Sequence, residues 1–65
     1  MLVIIKELKN LQSERDGTKF EVKDLAAAKR KAAKEQCFHG THMVIETEGG
    51  LLLAHKSDGR WFHAN

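Results

Sequence analysis

The sequence predicts a small α+β domain, in which one helix packs on one face of an antiparallel sheet of three to five strands. Three observations lead to this class. The stretch Asp24–Cys37 has the composition and spacing of a helix, the chain from Thr41 to His63 alternates with a period of two, and glycine-containing dipeptides separate the segments. The C-terminal part is therefore predicted to be a three-stranded meander that the helix covers.

Length and composition limit the organisation of the chain. The 65 residues correspond to a single domain, residues 1–65, and a domain of this size gains from a disulfide, a metal or a partner. The single cysteine, Cys37, excludes an internal disulfide and fits a reducing compartment. The apolar run Met1–Ile5 is too short for a signal peptide or a membrane span. We therefore expect a cytoplasmic protein without a membrane partner.

The N-terminal residues 2–15 allow two interpretations. The β-branched run Val3–Ile5 favours a strand over Leu2–Leu8, followed by an irregular stretch to Gly17. A helix is the alternative, because four residues recur at helical spacing: Ile4, Leu8, Leu11 and Arg15. After the turn, alternation within Lys19–Lys23 predicts a short strand that leads into the helix.

The predicted helix begins at Asp24, whose carboxylate can cap the free N–H groups of the first turn. Its apolar side carries Leu25, Ala28 and Ala32 at helical spacing. Alanine allows a helix to lie close to a sheet but buries little apolar area. Gly40 is a plausible residue at which the chain leaves the helix.

The meander is predicted from its turns. Asp16–Gly17, Gly49–Gly50 and Asp58–Gly59 are dipeptides favoured in two-residue hairpin turns. Two-residue turns at the last two positions fix the register of the three C-terminal strands. The resulting pairs are Ile45 with Ala54, Val44 with His55, Lys56 with Trp61, and His55 with Phe62.

This register places large apolar side chains on both faces of the sheet, because directly paired residues point the same way. The first face carries Met43, Ile45, Leu52, Ala54 and Trp61, and we expect the helix and a buried Trp61 there. The second face carries Val44, Leu53, His55 and Phe62. It needs a cover from the N-terminal segment, a second copy or a partner. We therefore predict a non-catalytic interaction module, a homodimer or a partner-binding subunit, with these four residues at the interface.

The basic residues of the helix indicate a second possible function, nucleic-acid binding. Lys29, Arg30, Lys31 and Lys34 could contact the phosphates of a nucleic acid. The composition favours a simpler interpretation, in which these residues form the solvated face of an alanine-rich helix. The net charge of +2 adds little support for a polyanionic partner.

Metal binding and catalysis find less support. Cys37, His39 and His42, with His55 and His63 downstream, supply possible zinc ligands, but their spacing matches no common zinc motif. A nucleophilic Cys37 would need an activating base and an enclosed pocket, for which so short a chain has little room. We therefore predict no metal, no cofactor and no enzymatic activity.

Overall fold

The computed structural model describes residues 1–10 and 16–63. Within these ranges, one helix packs on a five-stranded antiparallel sheet, which confirms the predicted α+β class. The strand order is β2-β1-β3-β4-β5. The elements are β1 (Leu2–Leu8), β2 (Thr18–Glu21), α1 (Leu25–Glu35), β3 (His42–Glu46), β4 (Leu52–Ser57) and β5 (Arg60–His63).

The first strand lies at the interior of the sheet. The strand predicted for Leu2–Leu8 is confirmed over the same residues, so the helical alternative is wrong there. Leu11 and Arg15, on which that alternative also depended, lie outside the described residues. β1 pairs with β2 on one side and β3 on the other, and Ile5 is opposite both Thr18 and Ile45.

The helix starts as the sequence predicts and ends slightly earlier. Asp24 is its N-cap, and the carboxylate accepts a hydrogen bond of 2.8 Å from the Ala27 N–H. The last helical residue is Glu35 rather than Cys37. Ala28 and Ala32 are fully buried against the sheet, so the alanine face allows the close approach that the sequence suggests.

The core lies between α1 and the facing side of the sheet. Its buried cluster consists of Val3, Ile5, Ala28, Ala32, Met43 and Ile45. Phe20, Val22, Leu25, Leu53 and Trp61 pack against this cluster and are partly buried. Trp61 therefore lies on the predicted face and packs against the core, but it is partly rather than fully buried.

The β4–β5 connection is the predicted two-residue turn. Asp58 and Gly59 have positive φ values of 53° and 76°, the conformation that favours Asp-Gly in such turns. Ser57 pairs with Arg60 across the turn. The predicted pairs Lys56 with Trp61 and His55 with Phe62 are both confirmed.

The β3–β4 turn has three residues, 48–50, so the two-residue prediction is wrong here. The Thr47 N–H donates to the Leu51 carbonyl at 2.9 Å, and the Gly50 N–H donates to the Thr47 carbonyl at 3.0 Å. Gly50 supplies the positive φ of 90° that the third position of this turn requires. The longer turn moves the strands out of the predicted register by one residue next to the loop.

A β-bulge takes up this extra residue. Glu46 pairs with Leu52, whereas the preceding Ile45 pairs with Ala54, so Leu53 has no partner across the pair. Beyond the bulge, the predicted pairs Ile45 with Ala54 and Val44 with His55 are confirmed. Because of the bulge, the predicted faces of Leu52 and Leu53 are wrong. Leu53 packs against the core, and Leu52 shares the opposite face with Glu46.

The predicted hairpin turn at Asp16–Gly17 is also wrong. Ile5 pairs with Thr18, so a much longer segment than two residues connects β1 and β2. Gly17 instead lies against β1. An added Cβ there would be 2.3 Å from Ile4 Cγ2 and 2.9 Å from the Ile5 carbonyl oxygen. Glycine is required at this position by the close approach of two segments of chain.

Candidate interaction surfaces

The structure divides the four residues predicted for an interface between the two faces of the sheet. Val44 lies on the face turned away from α1 but is only 5% exposed, so it cannot serve as a contact residue. Leu53 belongs to the opposite side, against the core. His55 and Phe62 stack on each other with ring centroids 5.1 Å apart. Phe62 is 47% exposed, and Leu52 and Leu2 are each 37% exposed, so these three residues supply most of the accessible apolar surface of the face.

Ion pairs make much of the same face polar. Lys6 Nζ lies 2.9 Å from a Glu46 carboxylate oxygen, and both side chains are about one-fifth exposed. Lys19 and Glu48 form a second pair at 3.2 Å, closer to solvent. Since Leu8 is also buried to 4% exposure, part of this face is covered within the protein itself.

The structure separates the four basic residues of the helix. Lys29 lies on one flank, where its ammonium group contacts His63 and lies 5.8 Å from the centre of the Trp61 ring. Lys31 lies on the other flank, 4.8 Å from the Phe20 ring centre. These two lysines therefore belong to the packing between helix and sheet as well as to the surface.

Arg30 and Lys34 remain on the outer side of α1. They lie four residues apart, both are exposed, and neither has an ion-pair partner in the described part of the chain. We call these two residues the cationic ridge. The predicted cluster of four cations is thus reduced to two freely presented charges.

A loop after the helix presents an exposed aromatic ring. We call residues 37–41 the Phe38 loop. Phe38 is 70% exposed, although the loop that carries it is held in place. The Glu7 carboxylate accepts hydrogen bonds from the Cys37 N–H at 3.0 Å and the Phe38 N–H at 2.9 Å. The Thr41 hydroxyl donates to the same carboxylate at 2.7 Å.

These hydrogen bonds also set the protonation of Glu7. Desolvation alone raises the pKa of this carboxyl group, but the hydrogen bonds from the Phe38 loop together outweigh it. The pKa of Glu7 is therefore below its ordinary value. The ionised carboxylate is the form that fixes the loop, because only this form accepts all three donors without a proton of its own.

Sequence reasoning missed both Glu7 and Phe38. Glu7 lies in a strand otherwise judged by its apolar residues, and its partners are some 30 positions away in the sequence. Phe38 has a local signal. It follows the last predicted helical residue and precedes Gly40, so it falls outside the periodic pattern of either neighbouring element.

The cysteine and histidines considered as zinc ligands do not converge. His42 Nδ1 and the Ser57 hydroxyl are 2.6 Å apart, His55 stacks on Phe62, and His63 contacts Lys29. Across residues 1–10 and 16–63 there is no group of three or more potential ligands that could hold a metal. No helix formed by the described residues is long and apolar enough to span a membrane.

The fold and its surfaces define a small α+β binding module. No family model matches the sequence, and curated proteins provide no match. Among solved structures, AcrIF9, an anti-CRISPR protein, superposes with a TM-score of 0.94. The sequences are 56% identical, and the match covers 100% of this chain and 87% of the AcrIF9 chain. The chain therefore belongs to the AcrIF9 family.

Proposed function

We propose that this chain is an anti-CRISPR inhibitor that binds a protein component of a CRISPR–Cas complex and performs no catalysis. The observation that carries the proposal is its 56% identity to AcrIF9 over the whole chain. An inhibitor of this kind works in the cytoplasm, where such complexes act. A small protein that inhibits by binding needs complementary surface rather than an enclosed site, which fits the exposed ring of Phe38 and the cationic ridge.

The test is a titration of the purified protein against a purified CRISPR–Cas complex that AcrIF9 inhibits. We expect binding of target DNA by the complex to be lost when the inhibitor reaches a small whole-number ratio to the complex. The degree of inhibition should not increase with incubation time after binding equilibrium. Absence of inhibition at a large excess would refute the proposal. Full inhibition at a small fraction of the complex concentration would instead indicate catalysis.

Contact with nucleic acid by the cationic ridge is the second candidate function. Arg30 and Lys34 point away from the sheet, and no carboxylate among the described residues neutralises them. The double variant Arg30→Ala/Lys34→Ala should weaken DNA binding. The slope of the logarithm of the binding constant against the logarithm of the salt concentration should become shallower by about two, one for each lost phosphate contact. Lys9→Ala/Arg60→Ala is the matched control, because it removes one exposed lysine and one exposed arginine away from the helix. Equal effects of both double variants would indicate only a response to net charge.

Self-association through the sheet remains the third proposal, now with Leu52 and Phe62 as its contacts. Both side chains are exposed on the face opposite α1. Sedimentation analysis at micromolar concentration should then find a dimer that Phe62→Ala shifts towards monomer. A monomer at all concentrations would remove this proposal and leave the first one unaffected.

A further inference from the structure

We propose that Phe38 enters an apolar pocket on a protein partner, that this pocket is bordered by basic side chains, and that Glu7 is the positioning residue for Phe38. The inference rests on the proposed function, since it assigns the surface through which the inhibitor binds.

The ring is both exposed and pre-oriented. Phe38 is 70% exposed, and its own N–H donates to Glu7 at 2.9 Å. A second hydrogen bond from the Cys37 N–H and a third from the Thr41 hydroxyl fix the loop on either side of the ring. An aromatic side chain on a fixed backbone loses little conformational entropy on binding, which is the property of an interface anchor.

Two depressions flank the ring, and each has a volume of about 390 Å³. Cys37 and Phe38 line both of them. The depression towards β2 has an apolar floor that includes Ile5, Phe20 and Met43. The Phe38 ring therefore projects between the two depressions, which can receive the side chains that border a partner's pocket.

The charges around these depressions favour a protein partner over a nucleic acid. Four carboxylates line the two depressions: Glu7, Asp16, Glu35 and Asp58. Two lysines, Lys6 and Lys56, also line the depressions. The ammonium group of Lys31 lies nearby, 3.9 Å from a carboxylate oxygen of Glu35. The excess lies in the depression towards β2, where Glu7, Asp16 and Glu35 outnumber Lys6, whereas Asp58 and Lys56 balance each other in the second depression. On the β2 side this excess repels phosphates, so stacking of a nucleic-acid base on that side of Phe38 is disfavoured. It attracts lysine and arginine side chains at the edge of a protein pocket.

The first experiment measures binding of wild type, Phe38→Ala and Leu51→Ala to the purified CRISPR–Cas complex. Leu51 is a matched control, because it is a large apolar residue that is 67% exposed in another turn. We expect Phe38→Ala to weaken binding at least about 30-fold and Leu51→Ala to change it by less than about threefold. Both variants should keep the wild-type melting temperature, since each removes an exposed side chain.

The outcomes separate this inference from the proposed function. If wild type does not bind the complex, both fail. If wild type binds and the two alanine variants bind equally well, only the assignment of Phe38 fails. If Phe38→Ala loses affinity for single-stranded DNA but not for the complex, the ring contacts nucleic acid and the inference is overturned.

The second experiment asks whether Glu7 acts through Phe38. Glu7→Gln keeps the length of the side chain but replaces one acceptor oxygen with an amide NH₂ group. This group cannot accept a hydrogen bond from the donors of the Phe38 loop. We expect faster amide hydrogen exchange at Phe38 and binding weakened about five- to tenfold. In the Phe38→Ala background, Glu7→Gln should have no further effect on binding. Equal loss in both backgrounds would show a general structural role and refute the positioning role.

A charge reversal tests the basic border of the pocket. Glu35→Lys places a cation in the last turn of α1, where the helix dipole favours positive charge, so the fold should be retained. We expect binding to the complex to weaken and its association rate to fall several-fold at low salt. An unchanged or faster association rate would contradict a basic border.

Discussion

Replacement of Gly17 by alanine tests how closely the chain passes over β1. The new Cβ would lie 2.3 Å from Ile4 Cγ2, 2.8 Å from Lys6 Cγ and 2.9 Å from the Ile5 carbonyl oxygen. Rotation of the Ile4 and Lys6 side chains could relieve the first two contacts. The third contact involves backbone that pairs with two neighbouring strands, so it can be relieved only by displacing a strand.

Overpacking of this kind costs about 1–3 kcal/mol. A central value of about 2 kcal/mol corresponds to a fall in melting temperature of roughly 8–16 °C for a domain of this size. Circular dichroism during heating and urea denaturation both measure the loss. Urea adds a check, because an unchanged slope with a lower midpoint shows that stability fell without a change in the unfolded state.

Gly49→Ala is the control for the same chemical change. A Cβ at Gly49 would meet only the Thr47 hydroxyl oxygen at 3.9 Å, and Gly49 lacks a positive φ. This variant should be neutral or more stable by about 0.4–1 kcal/mol, since alanine restricts the unfolded chain. If Gly17→Ala melts at the temperature of Gly49→Ala, the close approach described for Gly17 is wrong.

Three further predictions concern the helix cap, the Phe38 loop and the bulge. Asp24→Ala should destabilise the fold by about 1 kcal/mol in urea denaturation, whereas Asp24→Asn, which keeps a capping oxygen, should lose much less. Because the pKa of Glu7 is lowered on folding, its contribution to stability is present above the unfolded pKa near 4.5 and is lost as pH falls through the folded value. Amide exchange at Phe38, corrected for intrinsic rates, should therefore increase in acid, and Glu7→Gln should abolish this dependence. Leu53→Ala should cost more stability than Leu52→Ala, because Leu53 packs on the core. The reverse order would contradict the bulge.

Local signals account for the parts of the fold that sequence reasoning predicted. Asp24 caps the helix through an atom three residues from its partner, and Asp58–Gly59 adopts its turn from the preferences of two residues. The β-branched run Val3–Ile5 makes a strand in any apolar setting. Each of these features depends on residues that are neighbours in the sequence.

The errors arise where two local choices compensate each other. The three-residue turn adds one residue on the β3 side, and the bulge adds one residue on the β4 side. The two shifts cancel, so from Ile45 onward the register equals that of a plain two-residue turn. The hydrophobic pattern does not distinguish a two-residue turn from a three-residue turn with a bulge, because Leu51, Leu52 and Leu53 are the same residue type. The sequence prediction therefore places Leu52 on the helix side and Leu53 on the opposite side, whereas the structure has them the other way round.

The candidate site was harder to predict because long-range contacts create it. The basic helix residues are all present in the sequence, but their division into two flanking lysines and the cationic ridge depends on Phe20 and Trp61. Likewise, Phe38 becomes an oriented ring only through Glu7, a residue of the first strand. Such pairings are set by the sheet order, which hydrophobic periodicity does not determine.

The position of β1 in the sheet has a consequence for the order of folding. Its partner in β3 lies far along the chain, as Ile5 and Ile45 illustrate, while β3, β4 and β5 pair with their sequence neighbours. The meander has the lower cost of loop closure, so we expect it to form first and β1 to insert afterwards. Val3–Ile5 can pair early with β2, but the edge of β1 that pairs with β3 stays open to other chains until the meander docks on it. Lys6 and Glu7, which directly follow Val3–Ile5, supply charges that limit aggregation of the unfolded chain during this interval.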